Sequence, residues 1–134
     1  MKSQRFKEVT RSKGEKGVFS LLKAMFPTFI MYANYPYNKI TKTTKTFRAD
    51  IYIKTLNAVI EYQGEHHYAP VYYGKSEKEI FEAQRAFEER QRLDEEKKHL
   101  LEESGVLLIE IPHYKWNKMD KKEKMEYLYD ELAN

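Results

Sequence analysis

The sequence predicts a single mixed α/β domain with elements in the order α-β-β-β-α-β-α. Three observations predict it. Two stretches carry apolar residues at helical spacing, one opening at Ser12 and one covering about Lys78 to Glu103. Between them lie two short runs that alternate with period two, Phe47–Ile53 and Ala58–Gln63, joined by four residues. After the second helix comes Val106–Ile111 (VLLIEI), a mostly apolar run of the kind that forms a buried strand.

Taken in order, Ser12 and Glu15 have the spacing of a capping box. They open a helix that places Val18, Leu21, Leu22 and Phe26 on one face, and Pro27 stops it. Phe29–Tyr35 (FIMYANY) reads as a strand and Tyr37–Thr46 as a polar loop. The two alternating runs flank Lys54-Thr55-Leu56-Asn57, a hairpin with a four-residue loop. Gly105 is placed to end the long helix. Asp120 and Glu123 cap a closing helix, about 120–132, carrying Met125, Leu128 and Leu132; its amphipathic pattern makes it a candidate homodimer contact.

The chain has 134 residues, enough for one domain (1–134), with a basic N-terminal segment over 1–11. Apolar residues make up 41% and charged residues 34%, a globular mixture. No apolar run approaches the roughly 20 residues that span a bilayer, and the first residues lack the apolar core of a signal peptide. There are no cysteines, which excludes disulfides and thiolate metal sites. The expected location is cytoplasmic, with no membrane partner and no small-molecule cofactor.

Net charge is only +3, but the distribution is uneven. The first sixteen residues hold Lys2, Arg5, Lys7, Arg11, Lys13 and Lys16 against two glutamates. Lys39, Lys42, Lys45 and Arg48 follow in a threonine-rich stretch. Such lysines neutralise phosphates and release counterions. Eleven tyrosines suit a nucleic-acid surface and a small core equally well.

The hairpin concentrates the chemistry. With Ile53 and Ala58 closing the loop, Asp50 faces Glu61, and Asp50, Glu61 and Gln63 share one face. Ala49, Ile51, Ile53, Ala58, Ile60 and Tyr62 share the other, the core face, and this pattern sets the register. Facing carboxylates repel, so the pair calls for a compensating cation. Oxygen ligands suit Mg²⁺, with Mn²⁺ as a substitute. The bland alternative is a solvated face balanced by nearby lysines. His67, just beyond the second strand, is a candidate general base or ligand. Asp94 lies on the apolar side of the long helix with Phe87 and Leu101, and Lys97 is one turn away. Glu15 completes the cap or reaches the metal face.

Three segments, Arg48–Tyr68 (RADIYIKTLNAVIEYQGEHHY), Glu89–Lys98 (ERQRLDEEKK) and Gly105–Pro112 (GVLLIEIP), together resemble the PD-(D/E)XK nuclease superfamily. Within it they look most like the branch of very-short-patch-repair endonucleases, which includes the phage and bacterial homing endonucleases called EDxHD. The resemblance covers roughly residues 12 to 116. It implies a restriction-endonuclease-like αβββαβ core, a mixed sheet flanked by helices, to which the closing helix is an addition. It assigns Asp50 to the first half-motif, Glu61 and Gln63 to the second, and Glu15 to an ancillary helix acid. His67, Asp94 and Lys97 fall on further positions of that branch. Ala49 replaces the family's proline, and Gln63 its lysine, which moves the proton chemistry toward His67 or Lys97.

The function implied is a Mg²⁺-dependent DNA endonuclease of phage or mobile-element type, acting in host cytoplasm if phage-encoded. Asp50, Glu61 and Glu15 would hold the metal, and Gln63, His67 and Lys97 would complete the catalytic set with Asp94 in support. Lys13, Lys39, Lys42, Lys45 and Arg48 would hold the DNA backbone. Two alternatives stand beside it: a DNA-binding module of the same fold without cleavage, and a structure-specific repair or junction nuclease. An RNA substrate ranks behind both.

Overall fold

Ser12 starts the first helix as its spacing predicts. Its hydroxyl accepts from the Glu15 N–H at 3.1 Å, and the Glu15 carboxylate accepts from the Ser12 N–H at 3.2 Å. Two orphan donors are thereby satisfied, and α1 runs Lys13–Met25. The computed structural model describes residues 12–64, 69–70, 72, 74 and 76–133. Strands β1 (Met31–Pro36), β2 (Arg48–Ile53) and β3 (Ala58–Gln63) follow, then α2 (Glu77–Glu103), β4 (Leu107–Pro112), α3 (His113–Trp116) and α4 (Lys121–Ala133).

The four strands form one mixed sheet in the order β1-β2-β3-β4, antiparallel at the first two joints and parallel at the third. A parallel joint needs a crossover, and α2 supplies it. The predicted hairpin register is present: Ile53 pairs with Ala58, Tyr52 with Val59 and Ile51 with Ile60. Gly105, at φ +70°, ends α2, and the Val106 N–H closes back on the Leu101 carbonyl at 2.9 Å.

For the hairpin one core face was expected, and it contributes to two clusters. Val18 and Leu22 of α1 pack with Ile51, Ile53, Ile60, Ile111, Trp116 and Leu128 on one side of the sheet. On the other side Tyr37, Ala49, Tyr52 and Val59 pack under Leu101 of α2. Ala49 and Ile51 therefore lie in different clusters, although strict alternation would put them together. The break coincides with Asn34, whose φ of 53° interrupts β1 between the pairs Ala33–Ile51 and Tyr35–Ala49.

The polar loop also differs from its expectation. Residues Tyr37–Lys39 form a 3-10 turn, and Tyr37 is fully buried against Phe47. The short helix α3 was not predicted; it buries Trp116. The closing helix does not stand outside the core, since Leu128 is fully buried in the first cluster and Leu132 packs against it. Its predicted cap is present: Asp120 accepts from the Glu123 N–H at 2.8 Å, and Glu123 accepts from the Asp120 N–H at 3.0 Å. Among the described residues no helix is long and apolar enough to cross a membrane.

Candidate nucleic-acid interface

The end of the β2–β3 hairpin carries the acids. Asp50 accepts the Tyr62 backbone N–H on Oδ2 at 2.8 Å, and Glu61 accepts the Asp50 N–H on Oε2 at 3.3 Å. The two side chains thus take the place of ladder carbonyls where the strand alternation breaks. The Tyr37 hydroxyl reaches the same Glu61 oxygen at 3.5 Å. Burial, then the Glu61 charge, then hydrogen bonding to Glu15 and its charge push the Asp50 carboxyl from 3.8 up to about 9. Desolvation penalises the charged form and like charges add to the penalty. Burial and the neighbouring carboxylates thus favour the protonated form of Asp50.

This arrangement answers the question of the facing carboxylates differently from the sequence. Backbone and tyrosine donors engage both acids, and burial beside Glu61 and Glu15 raises the Asp50 carboxyl. Glu15 does reach Asp50, while also completing the cap of α1. Among the described residues no three histidine, aspartate or glutamate side chains are arranged to hold a metal ion.

The other predicted residues separate. The Gln63 side-chain amide donates to Glu110 on the neighbouring strand, and the Gln63 backbone carbonyl meets His113 Nδ1 at 3.1 Å. Lys98, not Lys97, bridges to Glu110, at 3.5 Å. The Lys97 ammonium lies 5.5 Å from the Phe47 ring centroid. Asp94 points inward, as its helical spacing predicts, and its charge adds to the upward pressure on the buried Tyr37 phenol. Lys13 is exposed in the first turn of α1. His67 lies outside the described residues.

Two residues of this polar end were missed. Glu110 is the one charged residue of the apolar strand β4, a signal that was available. Tyr37 sits in a run of polar residues, and nothing local marks it as buried.

The basic stretch forms an open concavity of about 640 Å³ lined by residues 38–44. Its backbone is folded tightly: Ile40 and Thr41 N–H groups both bond the Tyr37 carbonyl at 2.9 Å, and Thr43 Oγ1 accepts from Lys45 N–H at 3.0 Å. Two contacts fasten it to α2, the Lys45–Glu96 ion pair at 3.2 Å and a hydroxyl contact between Thr41 and Ser104. Arg48 is also engaged, donating from Nη2 to the Asn34 carbonyl at 2.7 Å and from Nε to the Asn34 side chain at 2.9 Å. Lys39 and Lys42 are exposed, and among the described residues neither joins an ion pair.

No curated protein and no solved structure matches the chain. A family model does: the RAP domain, an RNA-binding domain family, over residues 60–131. It overturns the resemblance to the PD-(D/E)XK superfamily, for which no match is found, and with it the reading as a metal-dependent DNA endonuclease of homing or phage type. The physical reason for the mistake is local. Facing acids on a hairpin resemble a nuclease half-motif in sequence, and here both accept strand N–H groups. The matched segment starts within β3, takes in α2, β4 and α3 and reaches into α4. It covers more than half of the 134 residues, and the chain belongs to the RAP domain family.

Proposed function

We propose that the chain is an RNA-binding module that holds the phosphate backbone at residues 38–44. Membership of the RAP domain family carries this reading. The 38–44 concavity precedes the matched segment, but both anchors of this loop, Glu96 on α2 and Ser104 at its C-terminal cap, lie inside that segment. Lys39 and Lys42 present ammonium groups beside threonine hydroxyls, the groups that contact phosphate without reading sequence. Lys45 and Arg48 contribute through position, since Glu96 and Asn34 hold them.

A second basic run lies within the matched segment, Lys115, Lys118, Lys121, Lys122 and Lys124. Lys124 sits 5.1 Å from the Trp116 ring centroid, beside a smaller concavity of about 350 Å³ against α1. One experiment separates the two surfaces. Binding of a labelled RNA is measured across a salt series for the wild type, Lys39→Glu/Lys42→Glu and Lys121→Glu/Lys122→Glu. The first pair should weaken binding strongly and lower the steepness of the salt dependence by about 0.7 for each phosphate of a single strand that is no longer neutralised. Equal binding by the wild type and the first pair would refute this interface.

A further inference from the structure

Beside the basic concavity lies a feature that phosphate binding does not use. Tyr32, Tyr35 and Tyr52 form a run of nearly parallel rings across β1 and β2. Tyr32 and Tyr35 are stacked with centroids 4.7 Å apart at 17°, and Tyr35 and Tyr52 with centroids 5.3 Å apart at 15°. Tyr52 is buried and its hydroxyl is bound to Asn57 Oδ1 at 2.7 Å, so the inner end is immobilised. Tyr32, its direct partner across the strands, is 37% exposed on the edge strand of the sheet. The Lys39 ammonium lies 5.8 Å from the Tyr35 ring centroid, which joins the ring stack to the basic concavity.

We infer that Tyr32, backed by the Tyr35 ring, forms a stacking platform for the unpaired bases of single-stranded RNA, whose phosphates Lys39 and Lys42 hold. The inference rests on the RNA-binding reading above and adds the class of RNA and the residues that select it. Three observations carry it. An aromatic ring is left open at the surface although its neighbours are stacked. The rings are ordered beforehand, so a base joining them meets a surface with little freedom left to lose. The Lys39 ammonium stands beside the rings at a distance suited to one nucleotide, in which base and phosphate are a few ångströms apart. Every base offers a π-face, so such a platform is tolerant of sequence. A duplex keeps its bases stacked on one another and offers only its ends, so it is excluded.

The test uses the full chain and three labelled ligands of equal length: a single-stranded RNA, its duplex, and a single strand of abasic ribose-phosphate. The single strand should bind about tenfold or more tightly than either of the others, the size expected for stacking of one or two bases. Tyr32→Ala should remove that advantage and leave binding of the abasic strand unchanged, while Tyr32→Phe should keep it. Circular dichroism spectra of both variants should match the wild type, because Tyr32 lies partly exposed on the edge strand. Wild-type affinity of Tyr32→Ala for the single strand would overturn the platform and leave the RNA-binding reading standing. So would equal affinity for duplex and single strand. A dimer by light scattering that Tyr32→Ala dissociates would assign the edge to a second copy of the chain and overturn the platform. Failure of the wild type to bind any of the three at low salt would overturn both readings.

Discussion

The Tyr62 backbone N–H donates to Asp50 Oδ2 at 2.8 Å, a bond that a strand carbonyl would ordinarily accept. The carboxyl of Asp50 is thereby part of the β2–β3 joint, and its protonation is part of the fold. Its folded-state value of about 9 stands above the ordinary 3.8. Between those two values the folded chain binds a proton that the unfolded chain has released, so the stability from this group falls as pH rises. It is fully present below about 4 and gone above about 9. Melting temperature should therefore decline from mildly acidic to mildly alkaline pH. Asn keeps the acceptor for Tyr62 and donates to Glu15, so Asp50→Asn should flatten that decline and melt higher than the wild type at alkaline pH. Parallel pH profiles of the two proteins would show that Asp50 is not protonated.

Two glycines on α1 give opposite expectations. A methyl group at Gly17 meets no atom within 4 Å, so Gly17→Ala should stabilise the helix by up to about 1 kcal/mol. At Gly14 the same group would overlap the tip of the Tyr62 ring. Tyr62 would have to swing away from Asn117, to which its hydroxyl bonds. Gly14→Ala should lose the propensity gain and destabilise, as read by urea denaturation midpoints.

Leu128 tests whether the closing helix belongs to the core. Its side chain is fully buried beside Val18, Leu22 and Trp116. Leu128→Ala should cost about 2–5 kcal/mol, the usual range for a buried leucine. Tyr129, 59% exposed on the same helix, should change stability by less than about 0.5 kcal/mol on replacement by Ala. Equal, small effects in urea melts would detach α4 from the core.

Lys45 and Lys39 share a loop but not a role. The Lys45–Glu96 pair is partly exposed, so Lys45→Ala should cost less than about 1 kcal/mol of stability. Its effect on RNA affinity should be smaller than that of Lys39→Ala, because Glu96 already neutralises Lys45. The reverse order in a titration would place the phosphate on the α2 side of the loop.

Much of the fold was legible because local chemistry determines it. The box of Ser12 and Glu15, the alternation through Ala58–Gln63, the helical spacing before Gly105 and the Asp120 cap each act within a few residues. The inward direction of Asp94 was legible for the same reason. Tyr37 and α3 were not. Their burial comes from neighbours distant in sequence, Tyr37 with Phe47, Ala49 and Leu101, and Trp116 with α1 and the sheet.

The candidate site divides in the same way. By itself, the sequence determined which residues carry charge and that Asp50 and Glu61 lie at one end of a hairpin. Only the tertiary structure decided what those acids do. The hairpin is buried on both faces, which desolvates Asp50, and α1 brings Glu15 against it. Together they favour a proton over an open charge. Tertiary packing also decided that Lys45 and Arg48 are engaged while Lys39 and Lys42 are exposed, Lys39 beside the Tyr35 ring. Spacing along a chain can place side chains on a face, but it is the elements packed around that face that set their solvation and partners.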